Sequence, residues 1–170
     1  MTAKSKNNIN SELSALLYKG VKTGVFPSAS VFVSQGGNTI IEAAVGYYDG
    51  RSKATTDTLY DLASLTKPLA AALSAMLLFE TDKLDLSSPV NSYLPECNGR
   101  RWKGIVISNL LDHTSGLKDW LPLYEISESP TTHHIIETIT EHGFAAKPNE
   151  KTIYSDLNYI LLWCIFKEIL

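Results

Sequence analysis

Cysteine is scarce in this chain: Cys97 and Cys164 are the only two in 170 residues, far apart and in no CxxC pattern. That excludes a zinc ribbon and a dense disulfide framework, and two free thiols are expected. Runs of one charge are missing as well. The 15 basic and 18 acidic residues are scattered, the formal net charge is -3, and nothing is arranged to neutralise a phosphate backbone. No nucleic acid is expected as a partner. Long hydrophobic runs are also absent, and the opening Met1-Thr-Ala-Lys-Ser-Lys-Asn-Asn is polar. The sequence therefore predicts no transmembrane segment and, with no leader peptide, a cytoplasmic protein. It has no internal repeat, low-complexity tract or interdomain linker. What remains is a globular composition, 44% hydrophobic and 19% charged, with room for one core. Oligomeric state is not constrained.

Leu13, Leu16, Leu17 and Val21 stand at helical spacing, so residues 11 to 23 predict an amphipathic helix capped by Ser11 and stopped by Gly24. Ser28 to Ser34 and Thr39 to Tyr48 are rich in β-branched and aromatic residues, and Gly36-Gly37-Asn38 between them supplies a tight turn. They read as a β-hairpin. A strand-like Leu59-Tyr-Asp-Leu-Ala then runs into Ser64, followed by a helix with Leu65, Leu69, Ala72, Leu73, Met76 and Leu77, apolar enough to predict burial on most sides. Pro68 is tolerated only near a first helical turn, which places Ser64 at the helix N-terminus. Ser108 is a cap for a short helix through Leu111, Thr131 to Glu141 carries a second short helical pattern, and Leu157 to Leu170 a third.

Ser64-Leu-Thr-Lys67 is an SxxK element. On a helix the i and i+3 side chains share a face, so the Lys67 amine can reach the Ser64 hydroxyl. A serine needs a proton acceptor within hydrogen-bond reach to become a nucleophile, and a helix N-terminus adds partial positive charge beside the attacked carbonyl. Tyr154-Ser-Asp156 precedes the last helix, where a phenol can project toward Ser64. As a base at neutral pH its pKa of ~10 would have to fall by roughly 3 pH units, and a neighbouring ammonium pushes it that way. The reverse assignment, a neutral Lys67 as base with Tyr154 relaying the proton, needs a comparable fall on the lysine; the sequence leaves both open. Asp112-His113 and Ser115 do not form a triad, because adjacent Asp and His point in different directions. His133-His134 lacks the i, i+4 spacing of a helical zinc site. His113 and Thr114 instead predict side-chain to backbone bonds holding the turn at Gly116.

Four segments together resemble the family that groups class C β-lactamases, DD-carboxypeptidases and β-lactamase-like esterases. They are Thr58-Leu-Tyr-Asp-Leu-Ala-Ser64-Leu-Thr-Lys67, Leu84-Asp-Leu-Ser-Ser-Pro-Val, Leu110-Leu-Asp-His-Thr-Ser-Gly-Leu117 and Tyr154-Ser-Asp-Leu-Asn-Tyr-Ile-Leu-Leu162. Their order and spacing match too. The resemblance implies an α+β fold, an antiparallel sheet flanked by helices beside an all-helical lobe. Residues 1–170 would be an incomplete domain, truncated before the C-terminal strands, with 11–63 in the sheet-containing lobe and 64–170 in the nucleophile helix and helical lobe. It also implies a serine hydrolase working through an acyl-enzyme on a small-molecule or peptide ester, amide or β-lactam, with no cofactor or metal. Carried over by motif, Ser64 is the nucleophile, Lys67 its partner, Tyr154 the proton relay and Asp156 a substrate-contacting position.

Three departures from the family pattern stand out. Its third motif, Lys/His-x-Gly on a later strand, would lie beyond Leu170. That strand supplies an oxyanion donor worth about 2.7–4 kcal/mol, so this chain alone is expected to be nearly inactive. Asp156 replaces the asparagine of Tyr-x-Asn, whose amide donates to the substrate. An ionised carboxylate cannot donate, which disfavours β-lactams and favours an esterase or peptidase. Trp163 stands where a glycine is usual. The competing reading is a catalytically dead member that binds a ligand or partner through the same cleft.

Overall fold

The structure, a computed structural model, describes residues 3–125 and 130–170, with side chains from residue 11 onward. It falls into two compact units, Met1–Asp61 and Leu62–Leu170.

The first unit opens with helix α1, Ala3–Lys22. The helix begins well before Ser11, so Ser11 is not its cap. Nothing in Lys4 to Asn10 is a strong breaker, and propensity alone lets the polar turns continue. It stops where expected, with Gly24 at φ +73° and its N–H donating to the Val21 carbonyl. Strands β1 (Ser28–Gln35) and β2 (Asn38–Gly46) form the antiparallel hairpin. Gly36 and Gly37 both take positive φ, +57° and +77°, which is the two-residue turn that matches strand twist. The pairing runs Val33↔Ile41 and then Ser34↔Thr39, leaving Ile40 as an extra residue. This bulge is why the consecutive Ile40 and Ile41 are both buried where strict alternation would expose one. Strand β2 ends at Gly46, short of the predicted Tyr48, because Gly46 turns the chain at φ +82° with the Pro27 carbonyl packed where a Cβ would sit.

The residues before Ser64, at the end of the first unit and the start of the second, are irregular, not a strand: Leu59 is 96% exposed and Leu62 53%. Among the described residues no strand pairs with them. A one-turn 3-10 segment (Ala63–Leu65) leads into a π-helical stretch (Lys67–Ala72) and then α2 (Leu73–Glu80). Pro68 sits in the first turn of the π stretch, as its missing N–H requires, and the Ser64 carbonyl is taken by the Thr66 N–H. The expected burial of this helix is not found. Ala75 and Leu78 are buried, whereas Leu69, Leu73, Met76, Leu77 and Phe79 are each roughly half exposed or more. Periodicity recorded the apolar character but not how many faces are covered.

Helices α3 (Ile107–Leu111), α4 (Thr132–His142) and α5 (Asp156–Ile169) complete the unit. Ser108 falls inside the first turn of α3; the cap comes from Asn109, whose Oδ1 accepts the Val106 N–H at 3.0 Å. The helical pattern expected over Thr131 to Glu141 is α4, and Thr131 caps it by accepting the His134 N–H. The core is built around α5, where Leu157, Leu161, Leu162 and Ile165 are fully buried against Leu110, Leu117 and Ile139. Each such side chain stabilises the fold by about 1.5–3 kcal/mol. Cys97 and Cys164 are free and buried, as expected, and burial pushes the Cys164 thiol up to about 11. The fold is thus α+β, a two-stranded antiparallel sheet with helices. No helix among the described residues is long and apolar enough to cross a membrane.

Candidate active site

The site lies wholly within the second unit. Ala63, in the left-handed region at φ +44°, makes the corner that carries Ser64 onto the start of the helical segment. Three residues on, Lys67 points the same way, and its Nζ donates to Ser64 Oγ at 3.2 Å, as i, i+3 spacing predicts. The other side comes from the N-terminus of α5. Asp156, the first residue of that helix, accepts from Lys67 Nζ through Oδ1 at 2.6 Å. The Lys67 ammonium also stands 4.8 Å from the centre of the Tyr154 ring and 5.8 Å from that of Tyr159. Lys67 and Asp156, 89 residues apart in the sequence, are therefore brought together with Ser64 and Tyr154.

The charges follow from this placement. Burial works to lower the Lys67 pKa, but the bonds to Asp156 and Tyr154 and the negative charge of Asp156 outweigh it, and the ammonium is held above the ordinary lysine value. The Tyr154 phenol moves the opposite way. Hydrogen bonds to Ser64 and then to Lys67 pull it below the ordinary tyrosine value. Asp156 cannot act as a free donor here, since its carboxylate is engaged by Lys67.

A short strap, residues 149–156, holds Tyr154 in position. The Asn149 N–H donates to the Thr114 carbonyl, Ile153 N–H to the His113 carbonyl, and Asp156 N–H to the Asp119 carbonyl. Ser155 N–H donates to His113 Nδ1 at 3.1 Å. Gly116 makes this possible: at φ +83°, it has the Ala146 carbonyl where a Cβ would stand. His113 thus does more than the predicted turn-holding, because its ring binds the strap rather than its own turn. Thr114 Oγ1 contacts Asp112 and Asn109 side chains, not backbone. The signal for this was present in Asp112-His-Thr-Ser-Gly116, but its partner lay 42 residues away. His133, set aside as a metal ligand, pairs with Glu96 and Glu137.

Beside Ser64 opens a cavity of about 750 Å³. Lys67 and Asp156 mark its polar end, and Ala71, Ile135, Ile160, Trp163 and Phe166 contribute apolar wall. Trp163, at the unusual position, is half exposed along it.

Residues 13–169 match the family described as Beta-lactamase. The chain belongs to the beta-lactamase family. A penicillin-binding protein of Bacillus subtilis (strain 168) is 30% identical over 149 residues, 83% of this chain and 32% of that protein. An N-acetylmuramyl-L-alanine amidase of the same organism is 32% identical over 164 residues, 85% of this chain and 37% of that protein. Among solved structures, a class C beta-lactamase superposes with a TM-score of 0.75 at 22% identity, covering 99% of this chain and 46% of that one. The chain spans about a third of the length of these curated relatives. As a family member it has serine-hydrolase relatives, and the fold resemblance read from its four motifs is confirmed.

Proposed function

We propose that this chain carries the nucleophile and proton relay of a serine hydrolase that works through an acyl-enzyme, with Ser64 as nucleophile, Tyr154 as general base and Lys67 as a permanent cation. The observation that carries the reading is Lys67 Nζ set between Ser64 Oγ at 3.2 Å and Asp156 Oδ1 at 2.6 Å. A lysine so paired keeps its proton, which favours the lowered phenol as the acceptor.

In the first step the Tyr154 phenolate takes the Ser64 proton as Oγ attacks the carbonyl carbon, forming a tetrahedral intermediate. Collapse expels the alcohol or amine, which receives the proton from Tyr154, and leaves Ser64 acylated. A water, deprotonated in turn by Tyr154, attacks the ester carbon and releases the acid, and Ser64 recovers its proton. Lys67 stabilises the phenolate throughout by charge. The second oxyanion donor, which the family takes from a later strand, lies outside this chain, and turnover by the chain alone is expected to be weak.

The apolar cavity wall supports an ester or amide of an apolar acid as substrate class. The occupied Asp156 carboxylate argues against recognition of a β-lactam side-chain amide.

Covalent labelling tests this, because it needs one bond-forming step and no turnover. Intact mass is measured after exposure to a fluorophosphonate and, separately, a penicillin. A fluorophosphonate adduct that disappears completely in Ser64→Ala is expected, with little penicillin adduct. An adduct retained in Ser64→Ala, or none in either protein, overturns the assignment.

A further inference from the structure

His113 stands between the turn at Gly116 and the strap that bears Tyr154, and three features of its surroundings restrict its chemical state. Its Nδ1 accepts the Ser155 backbone N–H at 3.1 Å. A backbone amide can only donate, so Nδ1 carries a lone pair and the proton of the neutral ring is on Nε2. Asn158 Nδ2 approaches the same nitrogen at 3.2 Å, while Asn158 Oδ1 accepts from Ser115 Oγ at 2.6 Å. Ser115, Ser155 and Asn158 are fully buried, so these bonds have no water to replace them. The ring itself lies against Tyr154, with centroids 4.7 Å apart, and against Tyr159 at 5.2 Å.

We propose that His113 is a positioning residue for Tyr154: its neutral imidazole ties the strap through Ser155 and backs the phenol, and protonating the ring releases Tyr154 from Ser64. The inference rests on the acyl-enzyme reading above and extends it to a residue that touches no reacting atom. A proton on Nδ1 would set two donors, the ring N–H and the Ser155 N–H, against each other. Asn158 can turn its amide to accommodate this, but the backbone cannot. The charged and titratable groups facing the ring are Lys67, Asp112, Asp156 and the Tyr154 and Tyr159 phenols. Burial first, and then the Lys67 ammonium, hold the imidazole below its ordinary value of 6.5, against the opposing pull of Asp112 and Asp156. The neutral state therefore persists at neutral pH and is lost only in acid.

Three readouts on the intact chain test this. Nitrogen NMR of the histidine rings is expected to show His113 as the Nε2–H tautomer at neutral pH; an Nδ1–H tautomer overturns the proposal. Tyr154 ionisation is followed by ultraviolet difference against Tyr154→Phe. It is expected to shift up toward ordinary tyrosine in His113→Ala and less in His113→Asn, whose side-chain oxygen can still accept from Ser155 and whose type tolerates the positive φ of this position. An unchanged titration in both variants overturns it, and should His113→Ala not fold, His113→Asn decides alone. Last, the fluorophosphonate labelling rate of the parent chain is expected to fall in acid through two protonations, of Tyr154 and of His113, and that of His113→Asn through the first alone. Above the His113 protonation His113→Ala should lose at least about tenfold, a part of the roughly 10²–10⁴-fold contribution of a positioned acid–base group, and below it the variant and the parent should converge. Identical pH profiles in parent and His113→Asn overturn it. A parent chain that takes no label refutes the acyl-enzyme reading, while the tautomer and the phenol titration still decide the role of His113.

Discussion

The two segments that meet at Lys67 are held in very different ways. On the Ser64 side, Ala63–Leu65 and Lys67–Ala72 are irregular helix without one buried residue, entered through a left-handed alanine. On the Tyr154 side, the strap is tied by backbone bonds to His113, Thr114 and Asp119, and runs into a helix with seven buried residues. Ser64, the proposed nucleophile, is thus placed by local geometry, i to i+3, and Tyr154, its proposed acid–base partner, by tertiary packing. Damage to packing around α5 should therefore reach the chemistry, and equal damage along α2 should not.

The largest effect that sharpens this contrast is on chemistry. Tyr154→Phe is expected to slow fluorophosphonate labelling of Ser64 by about 10²–10⁴-fold, measured as adduct mass against time, while circular dichroism is unchanged because Tyr154 is 55% exposed and the ring is retained. The next compares two leucines. Leu161→Ala, at a fully buried position, should cost about 2–5 kcal/mol in urea unfolding, whereas Leu77→Ala, 63% exposed, should stay within about 0.5 kcal/mol. Equal costs would break the comparison.

These leucines also show what was legible beforehand. The 3.6-residue spacing revealed both apolar helices, yet it predicted burial for the one after Ser64, which is largely exposed, and said nothing of burial for α5, which is the buried one. A helix's own pattern states which side chains avoid water, not which neighbours exist to exclude it. The SxxK pair was readable because both residues sit within one turn. Tyr154 was readable from its place before the last helix and from the motif resemblance, Asp156 as a substrate contact only from the resemblance, and the Asp156–Lys67 ion pair, the Ile40 bulge and the His113–Ser155 bond were not readable.

Smaller effects follow from that polar network. Asn158→Ala leaves Ser115 Oγ without its buried acceptor and is expected to cost about 1–3 kcal/mol in thermal or urea unfolding, with slower labelling as the strap loosens. Smallest is Asp156→Asn. The Lys67 ammonium is raised in the fold, so its contribution is present below the ordinary lysine value of 10.5 and lost as pH rises through the folded value. Removing the half-exposed Asp156 charge should move that loss to lower pH and cost about 1 kcal/mol or less, read from unfolding midpoints across pH. The same change restores an amide donor, and penicillin labelling is expected to rise.

Residue order alone determined the features that depend on near neighbours: the hairpin with its Gly36-Gly37 turn, the helices of the second unit, and a serine with a lysine one turn along. Only the tertiary structure decided which apolar faces are covered, which carboxylate holds the lysine charged, and which imidazole nitrogen must stay bare. Local dihedral and periodicity rules act over a few residues, whereas pKa shifts and burial are set by atoms a few ångströms away in space that, as for Lys67 and Asp156, stand 89 residues apart in the chain.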